Sequence, residues 1–125
     1  MREILFRGKL LNNGEWVEGA FFPESDQYPA TIFHGRHNSL GDYVDPATVG
    51  QFTGLLDKNG KRIFEWDVVR YGNKTGYVIY GNGCFCVQDS TTQNRPAIDL
   101  VMDQWDVTVI GNIHDPELLE VTPDE

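Results

Sequence analysis

The fold of this chain is decided by one stretch, Gly50-Gln-Phe-Thr-Gly-Leu-Leu-Asp-Lys-Asn-Gly-Lys-Arg-Ile-Phe-Glu-Trp-Asp-Val-Val-Arg-Tyr71. Short apolar runs stand on either side of Asn59-Gly60, a pair that favours the positive φ angles of tight turns. The stretch therefore predicts two strands, Gln51 to Leu56 and Lys61 to Tyr71, which form a hairpin with its turn at Asn59-Gly60.

The second strand of this hairpin carries apolar residues on both faces. Alternation divides them into two sets, Phe64, Trp66 and Val68 on one face, and Ile63, Val69 and Tyr71 on the other. A strand that is apolar on both faces is typical of a sheet interior. We therefore expect this strand to have a neighbour on each side.

Two more hairpins are indicated outside this stretch. Strands over 4–11 and 15–22 flank Asn12-Asn13-Gly14, and strands over 77–81 and 84–89 flank Asn82-Gly83, a strong type I′ turn signal. A two-residue loop in the second hairpin sets its register. The predicted cross-strand pairs are Val78 with Val87, Ile79 with Cys86, and Tyr80 with Phe85.

The remaining segments add short strands and one helix start. Strands are predicted over 31–34, 97–102 and 105–113, with a loop over 90–96. Asp115 and Pro116 suit the first positions of a helix of one or two turns that ends at Glu120. Residues 35–46 are polar and rich in turn residues, which predicts a loop there.

Taken together, these elements predict an all-β fold. Short strands separated by Gly and Asn are typical of a small SH3-like or related β-barrel or sandwich built of hairpins, here with one short C-terminal helix. The 125 residues suit one domain over 1–125. The turn-rich segment leaves open a division into two β lobes, about 1–46 and 47–120.

Charge and hydropathy exclude some function classes. The chain has a formal charge of −9, and five of its acids lie without any base in the last eleven residues, so we expect a frayed acidic tail. A negative body repels phosphate, which disfavours generic nucleic-acid binding. No apolar run approaches the roughly 20 residues that span a bilayer, and the N-terminus lacks a signal-peptide pattern, so we expect no membrane contact and a cytoplasmic location.

Three segments occur in an order that resembles a known family: Met1-Arg-Glu-Ile-Leu-Phe-Arg7, the central run from Gln51 to Val69, and Val109-Ile-Gly-Asn-Ile-His-Asp-Pro-Glu-Leu-Leu119. They are similar to the YopX-type proteins, small proteins carried by phages and prophages. The resemblance implies an all-β, YopX-like domain and an origin on a mobile element, and it brings no activity or catalytic residues. Trp66 departs from the family pattern, which usually has Gly there. Since Gly permits a tight bend or bulge, we expect Trp66 to keep the strand regular or to expose an aromatic side chain.

Residues with metal-binding or nucleophilic chemistry are few. Cys84 and Cys86 point to the same side of a strand, a geometry that does not easily close a disulfide, so we expect reduced thiols. With these cysteines, the metal candidates are His34, His37 and His114, which lack the close four-ligand pattern of a structural zinc site. The sequence predicts no metal, no cofactor and, because no catalytic motif is present, no enzyme.

The binding candidates are three aromatic residues that could form a binding face and one base, namely Trp66, Trp105, Tyr71 and Arg70. Core packing explains such aromatics equally well. The favoured prediction is a non-catalytic protein-binding or regulatory module, an accessory protein whose partner is a host or phage protein or a second copy of itself. The alternatives are a nucleotide or small-molecule sequestering counter-defence protein and an acidic DNA mimic.

Overall fold

The computed structural model of the chain describes residues 4–34, 41–81, 83–89, 94–96 and 107–115. Within them the chain forms ten β-strands: β1 Phe6–Leu10, β2 Trp16–Phe22, β3 Thr31–Phe33, β4 Asp42–Leu56, β5 Arg62–Phe64, β6 Asp67–Tyr71, β7 Lys74–Gly81, β8 Cys84–Asp89, β9 Asn94–Pro96 and β10 Thr108–Asn112. The all-β prediction is confirmed. The predicted helix lies, beyond Asp115, outside the described residues. The elements described include no helix that is long and apolar enough to cross a membrane.

The chain divides into two compact units, Met1–Phe52 and Thr53–Glu125. In unit 1, β1 pairs with β2, β2 with β3, β3 with β4, and β4 again with β1, all antiparallel. These pairings close on themselves, so unit 1 is a small four-stranded barrel without a free sheet edge along the paired residues. Its core consists of Ala30, Ile32 and Val44, against which Leu10, Val17, Phe21 and Val49 pack.

Strand β4 begins inside the segment that the sequence predicts as a loop. Its first residues pair with both β3 and β1, as in Thr31 with Tyr43 and Leu10 with Val44. Pro46 is accommodated because the register between β1 and β4 shifts at this point. Thr48 stabilises the irregular backbone, since its Oγ1 accepts from Lys9 N at 2.9 Å and donates to the Asp45 carbonyl at 2.6 Å. Tertiary pairing therefore overrides the local turn signals.

Unit 2 contains the end of β4, which pairs with β5, and a second sheet with the order β10-β6-β7-β8-β9. Strand β6 lies between β10 and β7, as the two-sided apolar pattern predicts. The register predicted for the β7–β8 hairpin is confirmed at all three pairs. The core of this unit is formed by Ile63, Val69, Tyr71, Val78, Val87, Val107 and Val109.

The loop of the central hairpin is held by a buried carboxylate. Asp57 Oδ1 accepts from the backbone N–H groups of Asn59 and Lys61, each at 2.9 Å, and its Oδ2 accepts from Val109 N at 3.0 Å. Gly60 takes a φ of 81°, a left-handed conformation that Gly adopts without steric cost. Asp57 therefore connects the loop to the strand β10, 52 residues further along the chain.

Candidate functional site

The strand predicted over 61–71 is interrupted at Trp66, and this correction defines the first candidate site. Strands β5 and β6 are joined by a turn at Glu65 and Trp66, and Trp66 has a φ of 77°. It is the only non-glycine residue with positive φ in the described part of the chain. The expectation that Trp66 keeps the strand regular is therefore wrong, because the residue adopts a left-handed conformation that Gly, the usual residue of the family pattern, takes without steric cost.

The backbone of Trp66 is bound on both sides. Its N–H donates to the Val78 carbonyl at 2.7 Å, and its carbonyl accepts from Ile113 N at 3.0 Å. The turn is closed by Asp67, whose Oδ2 accepts from Phe64 N at 2.8 Å. Left-handed backbone costs an L-residue about 1–2 kcal/mol, and such a residue persists where the surrounding structure fixes it.

The indole of Trp66 is half-buried and contacts one further ring. Its centroid lies 6.1 Å from that of His114, and the rings stand nearly perpendicular at 79°. His114 is positioned through Asn112, whose Oδ1 accepts from His114 N at 2.9 Å and whose Nδ2 donates to Asp67 Oδ1 at 3.0 Å. Asp67 thus joins the turn and the strand β10 that together hold the aromatic pair.

The other sequence-predicted binding residues do not join Trp66 in one site. Tyr71 is fully buried in the core of unit 2 and has no exposed surface to offer a partner. Arg70 is half-buried and points to the opposite face of β6, where its Nε is shielded from solvent without a hydrogen-bond partner. Trp105 lies outside the described residues.

A second surface, which the sequence analysis does not find, lies on the outside of the unit 1 barrel. Cross-strand pairing aligns Phe22 with Thr31 and Thr31 with Tyr43, and Leu11 N donates to the Tyr43 carbonyl at 3.1 Å. These four residues, called here the outer row, run across β2, β3, β4 and the end of β1. Phe22, Tyr43 and Leu11 are 57%, 49% and 58% exposed. The apolar residues next to them along each strand point into the core instead.

A shallow, half-open cavity adjoins one end of the outer row. It has a volume of about 260 Å³ and is lined by Leu10, Leu11, Asn12, Gly41, Asp42 and Tyr43. The carboxylate of Asp42 lies 3.1 Å from His34 Nε2. Asp42 pairs across the strands with the buried Ile32, so its side chain lies on the opposite face of β4 from Tyr43.

The two cysteines lie together on β8 as free thiols, with their sulfur atoms 3.4 Å apart. Burial raises the pKa of the Cys86 thiol, and the hydrogen bond with Cys84 raises it further. Neither His34 nor His114 joins them, and the described residues contain no group of three or more His, Cys, Asp or Glu side chains placed to hold a metal ion. His37 lies outside these residues.

The comparisons with known proteins identify the family. The profile described as YopX protein matches residues 5–120, nearly the whole chain. The chain belongs to the YopX family. A search of the curated proteins found no match. Membership in the YopX family confirms the family resemblance and leaves the function to be argued from the surfaces.

One signal for the outer row is present in the sequence of this YopX family member. Phe21 and Phe22 are adjacent on a strand, as are Leu10 and Leu11, so one residue of each pair must point away from the core. The pairs alone do not show that Phe22 and Leu11 lie in one row with Tyr43. That alignment depends on the register of four strands that are distant in sequence.

Proposed function

We propose that this YopX family member is a non-catalytic binding module that contacts another protein through the outer row of unit 1. The observation that carries the proposal is the alignment of Leu11, Tyr43 and Phe22, all about half exposed, across the strands of a closed barrel. Burying such side chains in a partner provides a favourable free energy because apolar surface leaves water.

The size of the outer row supports this proposal. Each of its three large side chains leaves about 100 Å² in water, half the area that such side chains bury in a core, for a total of about 300 Å². The largest exposed apolar patch of a typical monomer covers about 300–600 Å² and is often functional, so the summed area of these three side chains reaches the lower end of that range. The barrel also provides a rigid support, because the residues between the exposed ones lie in its core.

The proposed setting follows the family. We infer that the protein is an accessory protein of a phage or prophage that acts in the cytoplasm of the host cell, on a host or phage protein or as an oligomer. Support comes from the YopX profile and from the net charge of −9, which disfavours binding to the phosphates of nucleic acids.

Affinity capture from host lysate with quantitative mass spectrometry tests the proposal. We expect Phe22→Ser and Tyr43→Ser each to reduce the recovery of a specific partner at least tenfold, because large apolar anchors dominate binding energy. Tyr80→Ser is the matched control, since Tyr80 is 56% exposed but lies in unit 2. A partner that is lost equally with the control variant, or retained by both row variants, contradicts the proposal.

A small-molecule sequestering protein is the second candidate, and the cavity at Leu11 and Tyr43 is the observation that favours it. Its volume of about 260 Å³ is below the roughly 300–1,000 Å³ of common ligand pockets, and Asp42 in its wall repels phosphate. A small uncharged or cationic molecule therefore suits it better than a nucleotide. A thermal-shift screen tests this candidate, and the absence of any shift from nucleotides and small cations counts against it.

A further inference from the structure

We propose that Cys84 and Cys86 form a redox site, in which a peroxide oxidises Cys84 and Cys86 then closes a disulfide that small thiols reduce. The site lies on β8 in unit 2, so this inference goes beyond the proposed binding module and does not depend on it. Three features support it: the distance between the two sulfur atoms, the unequal exposure of the two thiols and the extended strand that carries them.

The two thiols are close enough to react with each other. Cys84 and Cys86 are separated by one residue on β8, so their side chains leave the strand on the same face. Their sulfur atoms are 3.4 Å apart, and Cys86 Sγ also lies 3.9 Å from the Cys84 carbonyl oxygen. A disulfide has a sulfur–sulfur distance of about 2.05 Å, so the sulfur atoms must approach by about 1.4 Å to form the bond.

The two thiols differ in their exposure to solvent. Cys86 is 8% exposed and pairs with Ile79 on one side and with Pro96 on the other. Cys84 is half-buried and, among the described residues, pairs only with Gly81, which has no side chain to cover it. Burial raises the pKa of the Cys86 thiol and so favours its neutral, less nucleophilic form. A small oxidant in solution therefore reacts with Cys84 first.

The oxidation takes two steps. The Cys84 thiolate attacks the terminal oxygen of the peroxide, the O–O bond breaks, and the released oxygen takes up a proton, which leaves a sulfenic acid on Cys84. The Cys86 sulfur then attacks the Cys84 sulfur, the S–O bond breaks, and the hydroxyl group leaves as water with the Cys86 proton. The two thiols together lose two electrons, and the peroxide gains them.

The extended strand makes the disulfide strained and therefore reversible. Residues i and i+2 of a strand have Cα atoms about 6.6 Å apart, near the upper end of the range of about 4.4–6.8 Å found in disulfides. Closing the bond bends β8 at Phe85, which packs against the core of unit 2 and lies edge-on to Tyr80. Strained disulfides are easily reduced. Two molecules of a small thiol supply the two electrons and leave joined as their own disulfide.

Alkylation and intact mass spectrometry of the full-length chain test this inference, because the chain contains two cysteines. After treatment with hydrogen peroxide, denaturation and addition of N-ethylmaleimide, we expect a monomer that has lost two hydrogen atoms and carries no maleimide. Treatment of the oxidised protein with reduced glutathione before alkylation should restore both reactive thiols. A covalent dimer or a sulfinic acid as the main product contradicts the inference, and so does a disulfide that glutathione leaves intact.

Single-cysteine variants test the roles of the two thiols. Dimedone, which traps sulfenic acids, should label Cys86→Ala after peroxide treatment about tenfold faster than Cys84→Ala, because Cys84 is the exposed thiol. In urea that unfolds both variants, the two rates should be similar, because the difference in exposure is lost. Circular dichroism checks the folding of the variants, and Cys86→Ser serves for the same comparison if Cys86→Ala does not fold. Equal labelling of the folded variants, or faster labelling of Cys84→Ala, overturns the inference.

Discussion

The left-handed conformation of Trp66 leads to a quantitative prediction with two substitutions. Trp66→Ala removes the indole but keeps a Cβ at a φ of 77°, whereas Trp66→Gly removes both. A Cβ in this region costs about 1–2 kcal/mol. Gly loses about 0.5–1 kcal/mol more conformational entropy on folding than Ala, and this loss offsets part of the stability gained by removing the Cβ. The free energy of unfolding of the Gly variant should therefore be about 0.5–1 kcal/mol higher than that of the Ala variant.

Both variants should be less stable than the parent chain. The half-buried indole contributes about 1 kcal/mol through burial, and its edge contact with His114 contributes about 0.5–1.5 kcal/mol. We expect the loss to be about 2 kcal/mol for Trp66→Ala and about 1–1.5 kcal/mol for Trp66→Gly. Thermal and urea unfolding followed by far-ultraviolet circular dichroism measures this order, because the backbone amides supply most of that signal.

The neighbouring residue Glu65 provides the control for this comparison. Its φ is not positive, so Glu65→Ala should be more stable than Glu65→Gly by about 0.4–1 kcal/mol, the reverse of the order at Trp66. The reasoning is refuted if Trp66→Ala is as stable as Trp66→Gly or more stable, because the backbone strain at Trp66 is then absent.

Further predictions concern the carboxylate clamp, the packing of the second sheet and the buried thiol. Asp57→Ala should destabilise the fold by at least about 3 kcal/mol, since three backbone N–H groups lose their acceptor, whereas Asp26→Ala in an exposed loop should stay within about 0.5 kcal/mol in urea unfolding. Gly76→Ala should cost about 1–3 kcal/mol, because a Cβ there meets the Gln88 carbonyl oxygen at 2.7 Å, while Gly81→Ala meets nothing within 4 Å and should be nearly neutral in thermal unfolding. The folded state raises the pKa of the Cys86 thiol, so the stability that the neutral thiol contributes is complete below the unfolded thiol's pKa of about 8.5 and is lost as the pH rises above it. Urea unfolding at about pH 7 and about pH 10 should show this loss of stability in the parent chain and not in Cys86→Ala.

The parts of the fold that follow from local signals are predictable from the sequence. Asn82-Gly83 fixes the length of its loop, and the loop length fixes the register of β7 and β8 down to individual pairs. The shared core face of Val69 and Tyr71 follows from simple alternation along β6. In each case the information lies within a few residues of the feature that it determines.

The turn at Trp66 is not predictable from the residue alone. A bulky aromatic residue favours a regular strand and disfavours positive φ, so the local preference points to the wrong structure. The usual Gly of the family pattern carries the correct signal, and its replacement by Trp conceals the turn. The backbone partners that impose the conformation, Val78 and Ile113, lie 12 and 47 residues away in sequence.

The outer row depends on information that is even less local. Asp42 to Asp45 join a strand because β1 and β3 pair with them on both sides, although their own sequence favours a turn. Only this pairing brings Tyr43 beside Leu11 and places Thr31 between Tyr43 and Phe22. The pairs Leu10-Leu11 and Phe21-Phe22 indicate that one residue of each pair is exposed, but only the register of the strands shows which exposed residues are neighbours.

The most direct test of the account is site-specific photo-crosslinking in the host cell. A photoreactive phenylalanine derivative replaces Tyr43 in the outer row in one strain and Tyr80 in unit 2 in another, since both side chains are about half exposed. The account predicts a discrete crosslinked protein from position 43 that disappears when Phe22→Ser is added, and none of the same size from position 80. The same product from both positions, or a product from position 43 that persists with Phe22→Ser, contradicts the claim that the outer row is the binding surface.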